Sequence, residues 1–299
     1  MKMLSPSVEL IQAENPYKKI EIIGRLCYKS ENKITYDSCY RFVYNLIHKN
    51  HFAMLEHARC TFTLNNDYGG IFSTLINIPA ITICRTDTDK IFVNVSMSHL
   101  YNSEYSNELF IAMRRQVELY WLPTSYYDLY GISVDSTDIP YNLTYLVDNL
   151  ECPITKYPEL HYASIKFLCD RGVSHELVRH RCAVAQTSTR YCNYSKNKFG
   201  NQISYVTPST YHTWDASAQS AWNMSLNCAE ESYMKMLTVG CSPEQARSVL
   251  PNSLATEVVL TMNIPRWKHF FDIRYLGTTG NPHPDMKYIA RLALQALNI

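Results

Sequence analysis

The chain has 299 residues, of which 46% are hydrophobic and 18% charged, and its net charge at pH 7 is +1. This length and composition are typical of a globular protein of one large domain or two, with a substantial hydrophobic core. The near-zero net charge argues against a general nucleic-acid-binding protein, which usually carries a marked basic excess.

The first half of the chain predicts short helices and strands, from apolar residues at helical spacing and from β-branched and aromatic runs. The predicted elements are helices over 17–28 and 36–48, a strand over 60–64, a hairpin over 80–96 with its turn at 86–90, and a helix from Leu109 to Tyr120. Residues 123–160 contain four prolines with scattered aspartate and asparagine, and are predicted to be irregular surface chain.

The second half predicts longer elements with clear ends. They are a strand over 162–168 that ends at Asp170-Arg171-Gly172, helices from about Val173 and over 216–237, a strand over 258–262, a helix opened by Pro265 and ending near Tyr275, and a last helix from Pro284. Ser242, Pro243 and Gln245 form a capping-box pattern at another helix start. The order of elements predicts an α/β or α+β fold.

Ten cysteines are scattered along the chain, and no two have the C-x-x-C spacing of a zinc knuckle or redox pair. We expect free thiols in a cytoplasmic protein, because a chain of this length needs no disulfides. The first residues lack the apolar core of a signal peptide, and no run of 18 apolar residues could span a membrane.

The segment VSHELVRHRCAVAQTSTRYCNY, from Val173 to Tyr194, concentrates cations beside polar residues. They are Arg179, His180, Arg181 and Arg190, with Gln186, Thr187, Ser188 and Thr189. Arginine binds phosphate in a bidentate manner and hydroxyls add shorter contacts, so the segment predicts a phosphate site with donors left for a ring. The alternative is that the cations at 179–181 only complement the dipole of a helix C-terminus.

His175 and His180 bracket a sequence that resembles the zinc-protease motif H-E-x-x-H but is one residue longer. On a regular helix, residues five apart point about 140° from each other, so the two rings would not share a metal ion. We therefore expect no metal site.

Three further candidates for functional residues can also be explained by a purely structural role. The segment HFAMLEH from His51 holds two histidines and a carboxylate, which also fits a structural Glu–His pair. Arg247, early in a predicted helix, also fits a solvated or ion-paired surface group. Arg274 closes an aromatic-rich segment, where it would also stack on a ring or pair with Asp272.

Together these segments resemble the flavin-dependent thymidylate synthase family, whose signature is Arg-His-Arg, a spacer, and Ser-x-Arg. Here the signature is Arg179-His180-Arg181 followed by Ser188-Thr189-Arg190. Three segments match in the same order: HFAMLEHARCTFTL from His51, QARSVLPNSL from Gln245 and MNIPRWKHFFDIR from Met262. The resemblance covers about residues 17–64 and 162–299, so about 65–160 is an insertion in a single domain of 1–299.

The resemblance implies an α/β (α+β) fold with a central mixed sheet flanked by helices, in a homotetramer whose subunits share active sites. It implies reductive methylation of dUMP to dTMP, with methylenetetrahydrofolate as the one-carbon donor and NADPH-reduced FAD as the hydride source. It implies no membrane or nucleic-acid partner.

The resemblance also assigns residues. The FAD site would contain Ala53, Arg179, His180, Arg181, Gln186, Asn263 and His269. The dUMP site would contain Glu176, Arg179, Gln186, Ser188, Thr189, Arg190, Arg247 and Arg274. The catalytic residues would be Arg274, the family's activating arginine, and His51, near the folate and flavin edge. A fixed guanidinium stabilises negative charge on the uracil ring, so no cysteine nucleophile is required.

Three departures from the family pattern leave alternatives open. The spacer Cys182–Thr187 has six residues where seven are usual, Ala53 replaces a usual Ser or Thr, and Pro265 replaces a usual Arg beside Arg266. Another pyrimidine deoxynucleotide or a hydroxymethyl product is the nearest alternative. A non-catalytic nucleotide- or nucleic-acid-binding protein would use the same arginines with a steep salt dependence.

Overall fold

The computed structural model describes residues 1–65, 70, 73, 75–78, 81–86, 90–102, 104, 107–133, 142–147 and 152–299. Within these ranges, the model contains no helix with the length and apolar character needed to cross a membrane. The centre of the predicted hairpin turn, 87–89, lies outside the described residues.

The helices of the described residues are short except for one. The α-helices are α1 Pro16–Leu26, α2 Ser38–His48, α3 Met97–Tyr101, α4 Glu108–Trp121, α5 Tyr127–Tyr130, α6 Arg171–Leu177, α7 Ala216–Thr238, α8 Pro243–Ala246, α9 Ile264–Phe271 and α10 Pro284–Leu297. A π-helical turn, Asp272–Leu276, continues α9. Single 3-10 turns cover Glu31–Lys33, Phe52–His57, Thr124–Tyr126, Pro158–Leu160, Asn197–Phe199, Tyr211–Thr213 and Arg247–Val249.

The strands form two four-stranded sheets and one separate pair. They are β1 Lys2–Leu4, β2 Ser7–Leu10, β3 Arg59–Asn65, β4 Thr82–Arg85, β5 Lys90–Ser96, β6 Thr144–Leu146, β7 Tyr162–Asp170, β8 Ala183–Gln186, β9 Ser204–Val206 and β10 Ala255–Asn263. The order β2-β7-β10-β8 makes the central sheet and β4-β5-β3-β6 makes the second sheet. The α/β class is confirmed. The central sheet was expected to be mixed but is antiparallel, and the parallel pairing is between β1 and β9.

Helices cover both faces of the central sheet because the apolar side chains of β10 point alternately to one face and the other. Val258 and Leu260 point to a core shared with Trp267 and Phe270 of α9 and with α10. Val259, between them, packs on the other side in a cluster with residues of α1. Burying each such side chain stabilises the fold by roughly 1.5–3 kcal/mol. The central sheet is therefore the middle layer of three.

The second sheet has its own core and meets the central sheet through α1. Phe62 of β3 and Val93 of β5 are fully buried together with Tyr17 and Ile20 of α1. The next turns of α1 pack instead in the cluster that contains Val259 of β10. One helix thus contacts the cores of both sheets.

The predicted helices and strands are largely confirmed. The capping box is present: Ser242 Oγ accepts the Gln245 N–H at 3.3 Å, and Gln245 Oε1 accepts the Ser242 N–H at 2.9 Å. The helix expected from Val173 begins earlier, at Arg171, because the Asp170 carboxylate accepts the Val173 N–H at 2.8 Å and caps it.

Five strands, β1, β2, β6, β8 and β9, were missed because their partners are distant in sequence. The segment 123–160, expected to be irregular, contains α5 and β6, and Tyr145 of β6 pairs with Phe62. The six-residue spacer, treated as a loop, contains β8, whose Ala185 pairs with Val259. The usual spacer has seven residues, one more than here. That additional residue would therefore fall in or beside a strand held in register by β10.

A buried polar contact joins the end of the 3-10 turn Phe52–His57 to the central sheet. His57 Nδ1 lies 2.7 Å from Thr261 Oγ1, which is itself 2.6 Å from Ser164 Oγ. The structural alternative, a Glu–His pair, takes another form: the Glu56 carboxylate lies 3.8 Å from His99, a histidine outside the segment. Burial, with the nearby Lys19 charge, lowers the pKa of His57 to about 3.

This buried histidine predicts a loss of stability in mild acid. The folded-state pKa of His57 lies below the usual value, so the unfolded chain takes up the proton first as the pH falls below about 6.5. From pH 6.5 to 5 this group alone lowers the free energy of unfolding by about 2 kcal/mol. We expect His57→Gln to make that decrease shallower, measured by urea unfolding at several pH values. The exposed His212→Gln is the control, and equal slopes in both variants would contradict this role of His57.

Candidate active site

The Arg-His-Arg segment lies just beyond α6, in the connection to β8. The helix ends at Leu177, so Arg179, His180 and Arg181 are outside its last turn. Arg179 and Arg181 are exposed, and His180 is half-buried. Their position is therefore not the one expected of cations that only complement the helix dipole. The regular helix assumed for the His175–His180 spacing also ends before His180.

Arg274 joins this segment from the far end of the chain. Its Nη1 donates to Glu176 Oε2 at 2.5 Å, and its Nη2 lies 3.4 Å from the Glu176 carbonyl. Its Nε donates to His180 Nε2 at 3.1 Å. The alternative pairing with Asp272 is not formed, because the π-helical turn aims Arg274 at α6; π turns re-aim side chains in this way and are frequent at functional sites.

The environment of His180 keeps its ring neutral. Burial, the Arg274 guanidinium and His269 lower the pKa of His180 to about 4. Arg274 can only donate, so His180 Nε2 accepts and the ring proton sits on Nδ1. Phe270 packs against the ring at 4.9 Å between centroids. The charge of this group of side chains is therefore set by Arg274 and Glu176.

A second group of predicted residues gathers at the start of the 3-10 turn after α8. Arg247 Nη1 donates to Thr189 Oγ1 at 3.0 Å. Arg190 pairs with Glu244 at 2.9 Å, and both side chains are 52% exposed. Arg247 is therefore tied to the Ser-x-Arg segment, rather than being an isolated surface arginine.

Gln186 connects the two groups. Its Nε2 donates to Ser174 Oγ of α6 at 2.9 Å and lies 3.4 Å from Thr256 Oγ1 of β10. Ser188, two residues on, donates its N–H to the Cys27 carbonyl at 2.8 Å. The end of β8 is thus fixed against α6, β10 and the end of α1.

A polar cavity of about 370 Å³ lies beside this segment. Its polar lining includes Glu56, Arg59, Arg181, Asn263 and Arg266. Arg266 Nη1 donates to the Arg181 carbonyl at 2.7 Å, and Asn263 Oδ1 caps α9 by accepting the Arg266 N–H at 3.1 Å. Arg266 thus brings a guanidinium to the place where Pro265 lacks one.

His51 and Ala53 lie on a different cavity. This cavity, of about 700 Å³, is mainly apolar and also contains Tyr28, Phe42 and Met54. Both His51 and Ala53 are exposed. One copy of the chain therefore does not place them in the cavity lined by Arg181 and Asn263.

One residue near the second group was missed in the sequence. Arg171, read only as the end of a strand, is half-buried, and its pKa is lowered by burial and, after an opposing effect of Tyr194, by the like charge of Arg247. Arg171 and Arg247 are distant in sequence, and nothing in the local sequence signals that they interact. Thr187, which was named in the sequence, has its Oγ1 buried without a hydrogen-bond partner among the residues that the structure describes.

These features define an α/β protein in which arginines from distant parts of the chain gather around α6 and the end of β8. Residues 155–298 match the family model Thy1, described as thymidylate synthase complementing protein. A flavin-dependent thymidylate synthase of Geobacter sulfurreducens is 32% identical over 119 residues, which are 38% of this chain and 49% of the relative. That of Pyrococcus abyssi is 33% identical over 107 residues, 36% of this chain and 43% of the relative. The C-terminal half of the chain is thus similar to flavin-dependent thymidylate synthases.

The matched region spans about half or less of these relatives' own length. Among solved structures, a UMP/dUMP methylase PolB from Streptomyces cacaoi bound with 5-Br dUMP aligns with 99% of this chain and 92% of its own, with a TM-score of 0.43 and 13% identity.

The contact between Arg274 and His180 predicts an electrostatic effect that is independent of any ligand. Arg274→Met removes a positive charge beside His180, so the pKa of His180 should rise from about 4. Histidine-selective NMR titration measures this pKa, with a His180→Asn variant to assign the resonance. Arg179→Met removes an exposed arginine next in sequence and should leave the value unchanged; a rise with both variants, or with neither, would contradict the pairing.

Proposed function

We propose that this protein catalyses the reductive methylation of dUMP to dTMP, with methylenetetrahydrofolate as one-carbon donor and NADPH-reduced FAD as hydride source. The observation that carries the proposal is the contact of Arg274 with both Glu176 and His180. It joins the family's activating arginine to the Arg-His-Arg segment across more than ninety residues of chain. The similarity of residues 155–298 to flavin-dependent thymidylate synthases supports the same reaction.

The nucleotide phosphate would be held by Arg190, Arg247 and the hydroxyls of Ser188 and Thr189. Arg247 is already oriented by Thr189, which reduces the ordering cost of binding. Arg190 would exchange Glu244 for the phosphate, since an exposed ion pair contributes little. Arg179 would add a further cation to the same ligand.

Glu176, Gln186 and Arg274 would surround the uracil ring. Attack by C5 needs negative charge to be stabilised on N3 and its flanking carbonyls, and a fixed guanidinium does this with little reorganisation. Glu176 and His180 supply the fixing, because they hold Nη1 and Nε. His180 is neutral and adds no second positive charge. The uracil ring would therefore face the charge of Arg274.

The residues of the 370 Å³ cavity fit a flavin dinucleotide. Arg181, Asn263 and Arg266 offer donors that suit a diphosphate, and Arg179, His180, Gln186 and His269 lie on the neighbouring segments. When bound, FAD supplies the hydride that completes the methyl group, and NADPH recharges it. The chain's own residues bind and orient the two substrates.

We propose a homotetramer with shared sites in the cytoplasm. The separate location of His51 and Ala53 supports sharing, since another subunit would then bring them to the folate and flavin edge. Ala53 lacks the hydroxyl that the family often has there, so it would give the flavin only an apolar contact.

Identification of the product tests the reaction directly. We expect the purified protein to be yellow and to convert dUMP to dTMP when given methylenetetrahydrofolate and NADPH, with mass spectrometry as the readout. UMP and dCMP are the competing substrates, and a hydroxymethyl product is distinguished by its mass. A colourless protein that cannot be reconstituted with FAD, or one that binds nucleotide with a steep salt dependence and no turnover, would contradict the proposal.

Arginine variants test the assigned roles. Arg274→Ala should lower turnover by about 100-fold or more, the usual effect of removing one stabilising donor, while flavin absorbance persists. Arg179→Ala should lose bound flavin. Arg291→Ala, an exposed arginine on α10, is the matched control and should change neither quantity. A near-normal rate for Arg274→Ala would show that this role is wrong.

A further inference from the structure

A separate polar cavity of about 210 Å³ lies where the first turn of α1 faces the second sheet. Its polar lining includes Lys19, Arg59, Thr61, Asn94 and Tyr162, and we call it the Lys19 cavity. It shares Arg59 and Tyr162 with the cavity assigned to the flavin. Lys19, Thr61 and Asn94 belong to the Lys19 cavity alone.

The ammonium group of Lys19 carries an uncompensated charge. Among the residues that the structure describes, it has neither a hydrogen-bond acceptor nor a carboxylate within ion-pair distance, and burial lowers its pKa to about 8. Its neighbour Lys18 differs, because Lys18 Nζ pairs with Glu14 at 2.5 Å. Lys19 is half-buried, and a charge partly withdrawn from water without a partner is costly, so its position favours an anionic ligand.

The surroundings of Lys19 are also suited to an anion. Residues 13–16, at the positive end of the α1 dipole, line the cavity. Arg59 stacks on the Tyr162 ring at 4.2 Å, and its Nε donates to Asn94 Oδ1 at 2.5 Å, so its guanidinium is fixed. The one acidic residue of the described lining, Glu14, is 79% exposed and already paired with Lys18.

We propose that the Lys19 cavity binds a compact phosphate group, with Lys19 as the principal ligand and Arg59 as the second cation. The volume is below the roughly 300–1,000 Å³ of pockets for drug-sized molecules, and suits one tetrahedral oxyanion with a few waters. Asn94 and Tyr145, which belong to the insertion, complete the walls. This site requires nothing of the methylation reaction.

Titration calorimetry of the full chain with inorganic phosphate tests the site. The arginines of the proposed active site also attract phosphate, so the measurement is made in an Arg247→Ala background. Adding Lys19→Met should weaken phosphate binding by about tenfold or more, since a hydrogen bond to a charged group is lost. Adding Lys18→Met, on the same helix turn, should leave the affinity unchanged.

Equal phosphate affinity in the Lys19 and Lys18 variants would overturn the proposal, as would no binding in the Arg247→Ala background. Lys19→Gln, which keeps a polar side chain without charge, is a second variant with the same expected loss if Lys19→Met does not fold. Repeating the titration with dUMP identifies the source of the phosphate. A Lys19-dependent affinity for dUMP assigns the site to a nucleotide phosphate, and dependence for inorganic phosphate alone assigns it to the free ion.

Discussion

The placement of Arg274 against Glu176 is the constraint on which the candidate site depends. The register of β7 and β10 sets it: Asp170 lies opposite Ala255 and Tyr162 opposite Asn263, so α6 and α9 leave the strand pair at opposite ends. Each strand has nine residues, about 30 Å. The seven residues of α6 span about 10 Å, and the eight of α9 with the five of the π-helical turn span about 20 Å. Together the two helices span the length of the strands, so they meet where Arg274 reaches Glu176. A shorter α9 would leave Arg274 out of reach of Glu176.

The ion pair between Arg274 and Glu176 positions the guanidinium more than it stabilises the fold. Arg274 is 19% exposed and Glu176 30%, and ion pairs of that exposure contribute little to the folded state. Glu176 holds Nη1 of Arg274 and His180 holds its Nε, whereas Nη2 has only the 3.4 Å contact with a carbonyl. A guanidinium held on two sides keeps donor capacity for a ligand on the third. Such an arrangement is of use when charge develops on a bound ring.

Local signals in the sequence predicted the elements, and distant contacts decided the rest. The capping box at Ser242 and the amphipathic helices need only nearby residues, and they are present where expected. Strands β6 and β8 are too short to show a pattern and form because β3 and β10 offer them edges. The Arg-His-Arg segment was recognisable from its residues. The resemblance placed Glu176 and Arg274 in one site, but the residue pattern alone did not show that they pair. Asp272 is the carboxylate nearer to Arg274 in sequence, and Glu176 is brought close only by the sheet register.

The segment 65–160 supplies both strand partners of β3. The edges of β3 pair with β5 and β6, so β3 does not extend the central sheet, whose outer position beside β7 is taken by β2. The family-like segment that carries His51 leads into β3 and is consequently attached to the central sheet through α1 and through the His57–Thr261 contact. Strands β5 and β6 help to enclose the polar groups of β3 and of the first turn of α1, Thr61 and Lys19 among them. The second sheet thus forms part of the wall of the Lys19 cavity, which adjoins the cavity lined by Arg181 and Asn263 and shares Arg59 with it.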